Sequence, residues 1–271
     1  MNKIQRFFSA CTFDVEENPL IERRCEESHD YTNPHQQGCA LTGPERTGKI
    51  SLLFQYAYSI VKESEDSKVV FICSRHAATP IFKQPDEMEA LKRVHMRYID
   101  NGTLLRSYLS NIHLLPLDSL PTCICIDELS TILLQNQNQQ NQQLDDTQVG
   151  PPFMDPSNIV HIKTWALLQN AIQFIGKKLN KEVNFVVTDS LESTGFFERF
   201  CPLVLRTQIY REQDKNNPHN IPDLRGEEDD TSVQVYLQVT RINGNGDPYR
   251  TRVLYHVSSK ELVLKKWDYT L

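Results

Sequence analysis

The chain has 271 residues, 39% hydrophobic and 24% charged, with a net charge of −6. That length suits one α/β core with a small extension, and the acidic balance excludes a global field that would recruit nucleic acid, leaving only a local basic patch for such a role. No apolar run reaches the ~18 residues of a membrane span, and seven cysteines at irregular spacing, with no secretory leader, point to reduced thiols inside a cell.

Residues 1–37 show no clear period and read as a loosely packed N-terminal arm holding a helical turn or two. Ser28 to Gln37, with Pro34, is a polar loop leading into the first strand. The stretch from Cys39 to Ser51 organises the rest of the chain. A short apolar run (Cys39 to Leu41) gives way to a loop bounded by Gly43 and Gly48, then to a helix marked by Ile50, Leu52, Leu53, Phe54, Ala57 and Ile60. Strand, G-x-x-x-x-G-K and helix form an arrangement that cradles phosphates. Backbone N–H groups and the helix N-terminus draw the anion, and Lys49 reaches the β- and γ-oxygens. Gly43, Thr47, Gly48, Lys49, Ile50 and Ser51 are therefore the candidate nucleotide-binding residues. The motif departs from pattern at Ile50, where a Ser or Thr hydroxyl would coordinate Mg²⁺. Ser51 does not simply replace it, because one helical step turns the side chain by roughly 100°. Nucleotide binding is favoured over Mg²⁺-dependent turnover.

The helix should end near Lys62. Val69 to Cys73 is a continuous apolar run of the kind found in strands covered on both faces. Ser74, Arg75 and His76 leave its C-terminal end, where α/β proteins bind ligands. Helical spacing covers Asp86 to Ile99 through Met88, Leu91, Val94, His95 and Tyr98; a further helix is expected over Thr103 to Leu109, and a short strand or lead-in over Ile112 to Leu115. Thr122 to Asp127 reads as a strand ending in an acid, the Walker B pattern, with Asp127 the candidate for the Mg²⁺ shell and Glu128 beside it. Cys123 and Cys125 should point the same way, into packing.

Gln135 to Gln143 is a Gln/Asn tract, continued by polar sequence to about residue 158, and reads as a disordered insertion in a core spanning 38–271. Ile162, Trp165, Leu168, Ile172, Ile175 and Leu179 mark one face of a long helix. Glu182 to Ser190 is the next core strand, and Leu203 begins another. From Val233 the period becomes two, and strands up to Trp267 make an antiparallel meander. The fold class is therefore α/β, a mostly parallel sheet with helices on both faces, closed by C-terminal antiparallel strands.

This order of parts resembles the RecA-type recombinase ATPase core across most of residues 38–267, through "TGPERTGKISLLFQYA", the "ICIDE" strand, the "VVTDS" strand and the terminal meander. The short length and stripped motifs are similar to the paralogues of the eukaryotic recombinase, and most like the Shu-complex ATPase subunit that works with a SWIM-type zinc-finger protein. The resemblance implies ATP and Mg²⁺ as cofactors, with Gly43, Gly48 and Lys49 on phosphate and Asp127 near the metal. Thr188 and Asp189 would sense the γ-phosphate. Arg75 stands where the family keeps its catalytic Glu, so slow, DNA-stimulated hydrolysis or none is expected, with Lys49, Asp127 and Glu128 the only catalytic candidates.

The resemblance further implies a nuclear protein of homologous recombination repair, with a SWIM-type zinc-finger protein, a RecA-type recombinase or paralogue, and single-stranded DNA as partners. Its first DNA loop would fall at 135–156, which carries no Lys or Arg. The second would fall at 191–200, where Phe196, Phe197 and Arg199 could stack and clamp single strands or simply pack the core. Arg206, Arg211, Arg241, Arg250 and Arg252 are candidates for a basic patch, or an ordinary solvated face. Phe7-Phe8-Ser9-Ala10 matches the family's Phe-x-x-Ala docking segment. A competent P-loop ATPase or kinase of another branch, and a scaffold that has lost ATP, are the rival readings.

Overall fold

The computed structural model describes residues 5–8, 12–13, 38–81, 88–134, 156–190, 197, 199–210, 233–241, 250–258 and 261–270. The Gln/Asn tract, the 211–232 segment and the turn near Asn243 lie outside them. The chain divides into two compact units, one of Met1–Tyr56, Thr79–Asp86 and Leu191–Leu271, the other of Ala57–Ala78 and Glu87–Ser190.

In the first unit, strands β1 (Thr12–Phe13), β2 (Gly38–Thr42), β7 (Leu203–Tyr210), β8 (Val233–Arg241), β9 (Arg250–Val257) and β10 (Leu262–Thr270) lie in the order β1-β10-β9-β8-β7-β2. Strand β2 runs parallel to β7, with Cys39 opposite Leu203 and Thr42 opposite Arg206. From β7 through β10 the neighbours are antiparallel, which is the meander that the period of two requires. Val235, Leu237, Val253, Tyr255 and Val257 face inward at alternate positions, and Leu262, Val263 and Leu264 are buried in β10. Residues 5–8 correct the expectation of a loosely packed arm. They form a 3₁₀ turn whose Phe7 and Phe8 are buried, with Phe7 on Tyr56 at 4.8 Å and Phe8 edge-on to Tyr255 at 5.7 Å between ring centroids. Two adjacent aromatics gain more from apolar contact than the surrounding charges lose by ordering the chain.

The second unit holds four parallel strands in the order β6-β5-β3-β4: β3 (Val69–Cys73), β4 (Val94–Tyr98), β5 (Cys123–Ile126) and β6 (Asn184–Asp189). Strands β3 and β5 are buried throughout, as their unbroken apolar runs demand. The helical expectation for Asp86 to Ile99 is corrected. One helical turn, α2 (Met88–Leu91), precedes β4, which pairs with β3 from Val69 opposite Val94 to Cys73 opposite Tyr98. Val94 and Tyr98 lie four apart, as on a helix face, but with Met96 between them they also alternate, and only the strand satisfies the edge of β3. Helix α3 (Gly102–Asn111) is capped by Asn101, whose side chain accepts from the Leu104 N–H at 2.8 Å. Of the short strand or lead-in expected at Ile112, the structure shows no strand but a 3₁₀ turn, Ile112–Leu114, because Pro116 forces Leu115 extended and ends the chain's helical run there. Helix α4 (Leu129–Leu134) follows β5, and α5 (Pro156–Leu179) buries Trp165, Leu168, Ile172 and Ile175, with Trp165 edge-on to Phe185. Helix α1 (Lys49–Glu63) buries Leu52, Leu53, Tyr56, Ala57, Ile60 and Val61. Among the described residues no helix is long and apolar enough to cross a membrane.

Candidate functional site

The loop between β2 and α1 has the backbone polarity of an anion cradle. Gly43 sits at φ 141° and Gly48 at φ 75°, while Arg46 takes φ 63°, a left-handed turn that a non-glycine residue rarely adopts. Five of the carbonyls around it are taken. Thr42 O accepts from Thr207 Oγ1 at 3.2 Å, and Gly43 O and Pro44 O each accept from Lys49 Nζ at 2.8 Å. Thr47 O accepts from the Tyr255 hydroxyl at 2.7 Å, and Gly48 O accepts from Leu52 N at 3.0 Å. By contrast, no acceptor among the described residues is recorded for the backbone N–H of Glu45, Arg46 or Gly48. Backbone donors just before a helix N-terminus, with several neighbouring carbonyls occupied, suit a phosphate.

Each residue expected at this site is placed. Lys49 is buried, with its ammonium inside the loop on the two carbonyls. Three ammonium hydrogens allow it to bind these carbonyls and also to turn toward a phosphate. The Thr47 side chain is buried, with its hydroxyl 2.9 Å from Pro44 O and 2.8 Å from Thr207 Oγ1, so it is committed to the loop and the neighbouring strand. Ser51 accepts from Ile81 N at 2.8 Å and is committed to that segment. Ile50 is half-buried and supplies no oxygen.

In the second unit the tips of β5 and β6 gather the acids. Asp127 is buried, and its Oδ1 accepts from the Thr188 hydroxyl at 2.7 Å, while Thr188 Oγ1 accepts from Glu128 N at 2.9 Å. Glu128 stands at φ 48°, a strained turn held by that bond. Asp189 Oδ2 accepts from Ser130 N at 3.1 Å and Ser130 Oγ at 2.5 Å, and Ser130 Oγ is 3.1 Å from His161 Nε2. With its single proton given to Asp189, Ser130 accepts from a protonated Nε2. This order puts the serine between acid and imidazole, so the histidine is not placed to draw a proton from it. Arg75, at the tip of β3, is tied to Asp100 by its backbone N–H at 2.8 Å and by Nε at 3.3 Å.

Phe197 is buried in the core and Arg199 is exposed; Phe196 lies outside the described residues, as do the side chains of Arg241, Arg250 and Arg252. The Phe7–Ala10 docking reading loses its anchor, since both rings are spent on internal packing. Cys123 and Cys125 do point the same way, with their sulfurs 3.9 Å apart in the core. Sequence reasoning missed Thr207, Tyr255, Ser130 and His161, which become visible only once strand register and helix phase are known.

No family model and no curated protein matches the chain. Among solved structures, the flagellar accessory protein FlaH of Methanocaldococcus jannaschii is similar at 12% identity, over 93% of this chain and 97% of that one, with a TM-score of 0.49. A likeness at that level decides nothing about activity.

Proposed function

We propose that this protein binds a nucleoside triphosphate on the Gly43–Lys49 loop and acts as a RecA-like, recombinase-paralogue-type subunit that turns ATP over slowly or not at all. The observation that supports nucleotide binding is the loop's division of polarity: the carbonyls of Gly43, Pro44, Thr47 and Gly48 occupied, the N–H groups of Glu45, Arg46 and Gly48 without recorded acceptors among the described residues, and Lys49 stationed inside. In this reading the amides and Lys49 hold the β- and γ-phosphates, and the sequence resemblance offers Asp127 as the carboxylate for Mg²⁺. The bound metal would neutralise phosphate charge. Two features speak for weak turnover. Ile50 offers no hydroxyl to a metal, and Arg75, committed to Asp100, cannot serve as a general base. Glu128 is the remaining carboxylate candidate for that work.

The biological setting we propose follows from the sequence resemblance: a nuclear Shu-type complex in which this chain, with a SWIM-type zinc-finger protein, supports a RecA-type recombinase on single-stranded DNA. The test is titration of the purified chain with a fluorescent ATP analogue and Mg²⁺, then measurement of recombinase filament lifetime on single-stranded DNA in the presence of chain and partner. Binding that disappears in Lys49→Ala, together with longer filament lifetime, is expected. Absence of nucleotide binding in the native chain overturns the first half of the proposal, and an unchanged filament lifetime overturns the second.

A further inference from the structure

We infer that Thr207 and Tyr255, on the first and third strands of the C-terminal meander, are positioning residues for the phosphate loop, so that nucleotide affinity is set from the meander. The inference rests on the nucleotide reading of that loop and adds the residues that shape it.

The chain of contacts is short and continuous. Register places Thr42 opposite Arg206, so the next residue, Gly43, comes against Thr207 just as β2 ends and the loop begins. The approach is close enough that a Cβ on Gly43 would stand 2.1 Å from Thr207 Oγ1 and 2.4 Å from Thr207 O. Thr207 is buried, and its hydroxyl meets Thr47 Oγ1 at 2.8 Å and Thr42 O at 3.2 Å. Each hydroxyl carries one proton, so two protons are shared among the contacts of Thr47 with Pro44 O, of Thr207 with Thr42 O and of the two hydroxyls with each other. One threonine thus spans the loop, touching the residue before it, its first glycine and the residue before its second.

Tyr255 completes the hold. Its hydroxyl donates to Thr47 O at 2.7 Å, which turns that peptide so that its carbonyl faces the meander. The ring is buried and braced edge-on by Phe8. Gly48 presses on β9 and on its neighbour β10, with a notional Cβ 3.1 Å from Val257 and 3.5 Å from Leu262. An anion site made of backbone donors depends on holding them before the ligand arrives, because donors ordered only on binding subtract that ordering from affinity. Neither residue touches the anion; both act through Thr47 and Gly43.

The experiment compares Thr207→Val, Thr207→Ser, Tyr255→Phe and the native chain by three measurements: affinity for a fluorescent ATP analogue, thermal midpoint without nucleotide, and amide hydrogen exchange of residues 43–49 without nucleotide. Thr207→Val keeps the shape and removes the donor. It should weaken binding about 10-fold and speed exchange in 43–49 while exchange in β8 and β9 stays put, and Thr207→Ser should restore both. Tyr255→Phe should act in the same direction. Native-like affinity and exchange in both Thr207→Val and Tyr255→Phe overturn the inference. If the native chain binds no nucleotide, the functional proposal fails, and loop exchange alone then decides the positioning role. Should Thr207→Val fail to fold, Tyr255→Phe and Thr207→Ser carry the same comparison.

Discussion

Arg75 meets Asp100 twice, its backbone N–H 2.8 Å from Oδ1 and its Nε 3.3 Å from Oδ2, while the Ser74 hydroxyl adds a third donor at 3.1 Å. These donors, the Arg75 N–H foremost, outweigh partial desolvation and hold the Asp100 carboxyl below its usual range. A depressed carboxylate contributes stability above its unfolded pKa and loses it as pH falls through the folded value. Native protein should therefore exceed Asp100→Asn in denaturation midpoint at pH 7, and the gap should close as acid takes the pH below the ordinary carboxylate value. Urea unfolding of both proteins across that range measures it; a gap that persists in acid contradicts the assignment.

Gly43→Ala should be far worse than Gly48→Ala. At φ 141° the added methyl of the first strikes Thr207 backbone and hydroxyl at 2.4 and 2.1 Å, which forces strands β2 and β7 apart. Strain of this kind with overpacking typically removes about 2–4 kcal/mol. Gly48, at φ 75°, meets only movable side-chain methyls from 3.1 Å, and a left-handed alanine there costs about 1 kcal/mol. Chemical denaturation midpoints of the two variants should fall in that order.

Phe7 offers a direct test of its internal role. Its ring is fully buried on Tyr56, so Phe7→Ala should remove about 3–5 kcal/mol. A Phe-x-x-Ala segment held out for a partner would lose docking and leave the isolated chain as stable as before. Thermal unfolding of the chain alone separates the two cases.

The opening of the fold is legible in the sequence because its signals do not depend on distant residues. The loop glycines punctuate a strand and a helix, and Val69–Cys73 and Cys123–Ile126 are apolar at every position, as doubly covered strands must be. The meander shows itself by alternation in β8. Local pattern misleads at β4, where Val94 and Tyr98 suit a helix face and, with Met96, a strand as well, and the neighbour β3 decides the outcome. It also misleads at Phe7 and Phe8, whose partners Tyr56 and Tyr255 lie far along the chain. Of the candidate site, the loop residues and strand-tip acids can be named from spacing. The residues that hold them cannot, since Thr207 reaches Thr47 through a strand register that no local pattern encodes.

Cys73 should resist alkylation. Burial, helped by the nearby Asp127 and Asp100 charges, pushes its thiol from 9.0 up to about 11. That rise lowers the thiolate fraction at pH 8 by about 100-fold, before steric shielding is counted. Iodoacetamide labelling read by mass spectrometry should leave the Cys73 peptide unmodified in the native chain and modify it readily in urea. Equal labelling in both states would contradict the buried placement.

Ser130 joins the tip of β6 to helix α5, because its hydroxyl donates to Asp189 at 2.5 Å and lies 3.1 Å from His161 Nε2. Ser130→Ala leaves Asp189 Oδ2 with the Ser130 N–H at 3.1 Å and takes away the shorter donor. Asp189 is buried, so the lost bond should lower stability by about 1–3 kcal/mol. His161→Ala, at a half-buried position, should matter less. If the three groups form one chain, the double variant will be less destabilised than the sum of the single ones, since the second substitution removes a bond that the first has already broken. Strict additivity in a double-mutant cycle would show instead that His161 and Asp189 hold Ser130 independently, with no energetic link between strand tip and helix.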